Sequence, residues 1–284
     1  MDASQARWAA LGVAAGLLSS QVKFGLVFHT EGLINDKVVG KLKDFALALP
    51  REFRPTLAVI TPFCPQYYVD PLIDPLRRQF IAPRISGAET KCADTLRELS
   101  DRYDIGYHGH FFEAKDGRYN YTFDEVTVAE QFGREYGYLK GIGFVPSTYA
   151  GGWWHVSQHI VSLLEKYDFK LDTTVNDVRL DSFNQRQPYS VSSPGAPFWI
   201  RDGILEVQSV RSVQRLLNRS VLRSSKQRFF VLSLHDYDLM LPGARNAVKT
   251  ISKLAGRGAM LAAGELCRRA ATSATKAEAR ASAG

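Results

Sequence analysis

From residue 22 onward, short apolar runs rich in β-branched and aromatic residues alternate with longer stretches in which apolar residues recur every three or four positions. Runs of the first kind predict buried strands, and stretches of the second kind predict helices packed on one face. The expected strands are 22–28, 56–60, 104–107, 143–147, 171–174, 204–207 and 229–234. The expected helices are 37–48, 88–101, 127–140, 155–167, 212–222, 244–255 and 258–270. Strand–helix alternation implies a mainly parallel sheet, because each helix carries the chain back to start the next strand. About seven such units in roughly 250 residues favour a barrel-like α/β domain.

The ends of the chain break this pattern. Residues 8–18 form an apolar patch, but Asp2 offsets Arg7, and the patch is too short for a membrane span. Residues 1–20 are expected to form a helical extension, 21–270 the barrel domain, and the Ala/Ser/Thr/Lys-rich stretch 271–284 a disordered tail. No repeat is visible, and no apolar run is long enough to predict a transmembrane helix.

Composition narrows the class. Hydrophobic residues make up 45% of the 284 positions and charged residues 23%, which excludes collagen, disulfide-scaffold and largely disordered chains. Cys64, Cys92 and Cys267 are odd in number and widely spaced, as expected of small buried thiols in a reducing compartment. With no convincing leader pattern, this points to a cytoplasmic location. The formal charge is +7. Arg211, Arg215, Arg219 and Arg223 recur every four residues, which reads as a solvated helix face. No aromatic interleaving or zinc-finger spacing accompanies the charge, so nucleic acid is not an expected partner. Nothing in the pattern sets an oligomeric state.

The histidines carry the chemistry. His29, His108, His110 and His235 all fall at the carboxyl ends of three predicted strands, where parallel α/β folds build their sites. Glu31 lies two residues beyond His29, and Asp236 and Asp238 follow His235. Imidazoles beside carboxylates suit Zn²⁺ or a similar divalent ion. Two histidines and one carboxylate would leave a coordination position open, and the remaining groups could move protons. His155 and His159 are spaced i, i+4, but helix packing explains them better. After the fourth predicted strand, Gly151 and Gly152 allow close backbone approach, and Trp153 and Trp154 suit stacking on a sugar ring.

Taken in order, these segments resemble the polysaccharide deacetylase family (NodB homology, carbohydrate esterase family 4) from about residue 24 to residue 239. The segments are Phe28-His29-Thr30-Glu31-Gly32, Asp104-Ile105-Gly106-Tyr107-His108-Gly109-His110, Thr148-Tyr149-Ala150-Gly151-Gly152-Trp153, Phe169-Lys170-Leu171-Asp172-Thr173-Thr174-Val175 and Leu232-Ser233-Leu234-His235-Asp236-Tyr237-Asp238. The resemblance implies a distorted (β/α)7 barrel and metal-dependent removal of an acetyl group from a sugar. It implies Glu31, His108 and His110 as metal ligands, with Zn²⁺ first and Co²⁺ or Ni²⁺ as alternatives. His235 would protonate the leaving amine, and Tyr149 or a neighbouring backbone N–H would help hold the oxyanion. Gly151, Trp153, Trp154, Asp236 and Asp238 would line the substrate site, with an acetylated sugar or glycoconjugate as the partner.

Two departures stand out. The family's catalytic Asp falls on His29 or Thr30, depending on alignment, and its partner Arg falls on Tyr149. The two losses belong together, since an arginine at a cation site needs the aspartate it pairs with. Either His29 serves as the base, or the chain is a non-catalytic relic that binds sugar through Trp153, Trp154 and Trp199. A metal-dependent hydrolase of a non-sugar amide is a third reading of the same rim.

Overall fold

A computed structural model describes residues 22–65, 86–116, 118–175, 195–210 and 227–276. The expected helix at 212–222 with its arginines, the extension at 1–20 and the end of the tail lie outside the described residues.

The chain begins with β1 (Val22–Thr30), α1 (Asp36–Leu47), β2 (Thr56–Val59), α2 (Ala88–Leu99) and β3 (Asp104–Gly109). A hairpin follows, β4 (Phe112–Lys115) and β5 (Arg118–Tyr121), then α3 (Glu125–Gly141), β6 (Thr148–Gly151), α4 (Gln158–Lys166) and β7 (Leu171–Asp172). Next come β8 (Phe198–Arg201), β9 (Ile204–Glu206), β10 (Ser209–Val210), β11 (Arg228–His235), α5 (Ala244–Gly256), α6 (Ala263–Ala271) and β12 (Thr275–Lys276). Side-chain caps start the helices where the sequence supplies them. Asn35, Asp124 and Ser157 accept from the first-turn N–H groups of Lys37, Thr127 and Ile160.

The pairing closes a barrel. In parallel register, β11 pairs with β1, β1 with β2, β2 with β3, β3 with β6, and β6 with β7. β7 then pairs with β9, and β10 pairs with β11. β9 and β10 are separated by two residues only, Val207 and Gln208, and the Ser209 N–H bonds the Val175 carbonyl across the seam at 2.8 Å. The segment 204–210 therefore joins the two ends of the sheet as a seventh, kinked stave. This is the distorted (β/α)7 barrel that the sequence led us to expect.

Alternation sorts each strand into two faces. On β1 the even residues Val22, Phe24, Leu26 and Phe28 belong to the large core between barrel and helices. The odd positions face inward, where Val27 meets Ala58, Ala150, Leu205, Val207, Phe229 and Val231. The interior mixes the small Ala58 and Ala150 with the larger Leu205 and Phe229. Gly25 makes room for Leu266 of α6, since a Cβ there would lie 2.7 Å from the leucine. Leu266 thus plugs the amino-terminal end of the barrel.

Several expectations shift. The fourth strand was expected at 143–147 but is Thr148–Gly151. The apolar run before it closes α3 instead. Gly143, at φ 100°, turns the chain, and the Gly143 and Phe144 N–H groups bond the carbonyls of Lys140 and Leu139. Ile142 and Phe144 pack on the helix end, and so supply the hydrophobicity that mimics a strand. Residues 258–262 were expected to be helical. They run beside β1 instead, with Leu261 and Ala259 bonded to Phe24. Thr275–Lys276, in the stretch expected to be disordered, pair with Phe198–Trp199. The hairpin, β8 and β10 were not anticipated as strands. All three cysteines are free, and Cys64 and Cys92 are buried. Among the described residues, no helix is long and apolar enough to cross a membrane.

Candidate metal centre at the barrel rim

The inward parity of β1, β3 and β11 gathers the histidines. His29 and His235 are register partners on adjacent strands, so both rings project into the carboxyl end of the barrel, 5.4 Å apart and edge to face. His108 lies 4.1 Å from His29, measured between ring centroids. His110 keeps the parity of His108 two residues on, and Glu31 keeps that of His29. One ligand atom from each of Glu31, His108 and His110 lies within 4.8 Å of the other two, and all three side chains are buried. Parity also decides the ambiguity at the base position. His29 faces the cluster, whereas the Thr30 hydroxyl turns outward to the Ala58 carbonyl at 3.0 Å.

The donor set fits a cation. The His108 Nδ1–H donates to the Ala150 carbonyl at 2.7 Å, which fixes the tautomer and leaves the Nε2 lone pair facing inward. The His110 Nε2 points at that same nitrogen from 2.9 Å. If it donates there, the buried His110 Nδ1 remains an acceptor with no hydrogen-bond partner among the described residues; if it does not, two lone pairs confront each other. A divalent ion held by His108, His110 and Glu31 would relieve both situations. Burial, reinforced by His108 and His235, holds the His110 imidazole well below its usual pKa. The neutral ring is the form that ligates.

His235 is placed between carboxylates. Its Nε2 is 3.6 Å from Glu31 Oε1 and its Nδ1 is 3.8 Å from Asp238 Oδ2. The Asp238 carboxylate also accepts the His235 backbone N–H at 2.9 Å, and the Tyr237 ring stacks on the imidazole at 4.8 Å. Asp238 therefore orients His235.

Four of the expected substrate contacts are already committed to packing or hydrogen bonds within the chain. Asp236 is fully buried and accepts from the backbone N–H groups of Gly32 and Tyr237, both at 2.8 Å, so it ties the β1 loop to the β11 loop. Burial pushes its carboxyl up to about 7. Tyr149 has the opposite parity from the site: it packs outside the barrel against Tyr107, Phe132 and Phe169, and cannot hold an oxyanion. Gly151 is buried, and its N–H is already bonded to Thr174 Oγ1 at 2.7 Å. Trp199 lies on β8 against the cluster of Leu205 and Leu266.

The tryptophans divide. Trp153 and Trp154 both adopt positive φ, at 52° and 59°, a conformation that bulky residues rarely hold and that costs on the order of 1 kcal/mol each. The strained turn sets Trp154 5.8 Å from His29 and seats Trp153 edge-on to Tyr121 at 4.9 Å. Gly152 has a different use from the one expected. A Cβ there would lie 2.4 Å from the His110 ring, so this glycine makes room for the His110 imidazole rather than for a substrate. His155 packs edge-on to Phe123 at 4.6 Å, and His159 lies 3.8 Å from Glu125 of α3. These are packing roles, as expected.

Sequence reasoning missed one wall of the site. The hairpin β4–β5 brings Phe112 and Tyr121 to 6.5 and 6.1 Å from the His110 ring. Its signal was present, since Asp116-Gly117 is a hairpin dipeptide between alternating residues.

No protein-family model matches the sequence, and no match is found among curated proteins. Solved structures do match. A Mycobacterium smegmatis protein described as a polysaccharide deacetylase superposes with a TM-score of 0.57 at 12% identity, over 92% of this chain and 94% of that one. The chain has the polysaccharide-deacetylase fold. The 4-alpha-glucanotransferase of Thermococcus litoralis matches with a TM-score of 0.56 at 11% identity, over 92% of this chain but 40% of its own length. A deacetylase-type barrel therefore occurs in proteins named for different reactions, and the reaction must be argued from the rim.

Proposed function

We propose that the protein is a metal-dependent deacylase that removes an acyl group, acetyl foremost, from the nitrogen of an amino sugar or glycoconjugate. The observation that carries this reading is the convergence of Glu31, His108 and His110 with two further histidines beside them at the open end of the barrel. A relic would have no reason to keep both flanking histidines turned inward. The likeness to a protein named as a polysaccharide deacetylase suggests a sugar amide over other amides.

Glu31, His108 and His110 would hold the ion, with Zn²⁺ the best suited to two imidazoles and a carboxylate. A bound divalent ion supplies Lewis acidity toward a water and an acyl carbonyl. The chain's own groups move the protons. His29 takes one from the attacking water as the oxygen joins the acyl carbon. His235, held by Asp238, gives one to the amine nitrogen as the C–N bond breaks. The products are acetate and the free amine. Trp154 packs buried beside His29, and the partly exposed Trp153 is the tryptophan that would give a sugar ring an apolar face.

Elemental analysis of the wild type beside a His108→Ala, His110→Ala variant tests the ligands. The expected result is about one divalent ion per chain, lost in the variant. No metal in either protein after reconstitution overturns the ligand set. A loaded protein that releases no acetate from a panel of N-acetyl and O-acetyl sugars overturns the reaction.

A further inference from the structure

A groove of about 760 Å³ lies between α1, α5 and the turn at Asp236–Met240. It falls within the usual range of small-ligand sites, about 300–1,000 Å³. Its floor is apolar, built by Phe45, Leu239, Met240 and Val248. A shallower extension of about 380 Å³ continues past Met240 to Lys37.

Cations line both walls. Lys37 and Lys41 stand one turn apart on α1, and Arg245 and Lys249 stand one turn apart on α5. The acids there do not balance them. Asp44 lies 3.4 Å from Lys41, and Asp36 is engaged by Lys91 at 2.8 Å. Lys37, Arg245 and Lys249 have no acid partner among the described residues. An apolar floor between uncompensated cations is poorly matched to a neutral ligand, which would leave the charges unanswered. It is equally poorly matched to a bare anion, which would leave the floor wet.

We propose that this groove binds an amphiphilic anion: a single alkyl chain on the Phe45–Leu239 floor with a phosphate head between the two cation pairs. Several cations suit a phosphate better than a singly charged carboxylate. The site is separate from the metal centre and does not depend on the deacylase reading. It does share the Asp236–Met240 turn, whose first residues orient His235 and whose last residues form the floor.

Titration calorimetry of the full chain with dodecyl phosphate below its micelle threshold tests the proposal. Inorganic phosphate and the neutral dodecyl maltoside serve as the other two probes. The expected result is one saturable site for dodecyl phosphate. Affinity should weaken by about tenfold or more in Arg245→Glu, Lys249→Glu and stay unchanged in Lys140→Glu, a charge reversal elsewhere. If the Glu variant misfolds by circular dichroism, Arg245→Gln, Lys249→Gln should still weaken binding several-fold. Four outcomes overturn the proposal: no saturable binding, equal binding of the maltoside, equal binding of inorganic phosphate, or affinity indifferent to the α5 substitutions.

Discussion

Two clusters of buried titratable groups lie on opposite faces of the same barrel wall, on different strands, and they differ in what their neutral forms offer. Inside the barrel, His108 and His110 present lone pairs that converge with a carboxylate on one point. Outside it, Glu135 of α3, Asp172 of β7 and Glu206 of β9 lie between sheet and helices with no exposure at all. Burial pushes Glu135 up to about 8 and Asp172 up to about 6, and raises Glu206 well above its usual range. One oxygen each of Asp172 and Glu206 is spent on structure. Asp172 accepts from the Thr174 N–H at 3.0 Å and from its hydroxyl at 2.5 Å, and Glu206 accepts from the Val175 N–H at 3.0 Å. Asp172 and Glu206 are register partners, and one proton between them removes the repulsion of two carboxylates. Burial and a displaced pKa are therefore common to both clusters and mark neither as a site. What separates them is the direction of the lone pairs.

The inner cluster should fail by function. His235→Ala removes the proposed acid and leaves all three proposed ligands in the chain, so acetate release should fall about 10²–10⁴-fold while bound metal stays at the wild-type level. Loss of metal in that variant would break the separation of roles. Gly152→Ala should act through His110, whose ring leaves no space for the added methyl. Metal affinity, read by competition with a chelator, should fall by about 10–100-fold with the thermal midpoint little changed. Unchanged affinity would mean that His110 is not held where a ligand must be.

The outer cluster should fail by stability. Glu206→Ala strands the Val175 N–H and leaves Asp172 without its partner. The expected cost is about 1–3 kcal/mol in urea unfolding, with metal content unchanged. Loss of metal at preserved stability would show that the brace belongs to the site after all.

Strand ends explain how much of this was legible in the sequence. His29, His108, His110 and His235 fall at the ends of three predicted strands, and the carboxyl ends of parallel strands share one rim. The closure of the ring was legible only as a strand count, since the seam at 204–210 depends on a kink that no local pattern encodes. Tyr149 and Gly151 were misassigned for a related reason. Motif order placed them near the rim, but the strand begins at Thr148 rather than 143, so their faces could not be fixed. The carboxyls of Asp172 and Glu206 were invisible as a pair because 34 positions separate them and only register unites them. The groove beneath Leu239 was equally hidden, being made by helices distant in sequence.

The smallest expected effect is a slope. Thr61, Arg134 and Tyr107 each pull the Glu135 carboxyl toward its charged form, but desolvation by complete burial outweighs them. In the unfolded chain its carboxyl ionises near 4.5, whereas in the folded protein it keeps its proton to about 8. Above pH 4.5 the unfolded state loses that proton and the folded state does not, so stability declines as pH rises toward 8 and levels off beyond it. Asp172 and Glu206 slope the same way, Asp172 levelling off near pH 6. Glu135→Gln keeps the shape and removes the titration. Urea unfolding at pH 5, 7 and 9 should therefore give a flatter decline for the variant than for the wild type. A difference of about 1–3 kcal/mol is expected to open by pH 9, with the variant the more stable. Parallel curves would mean that Glu135 ionises in the folded protein as it does in water, and that the outer cluster holds charge rather than protons.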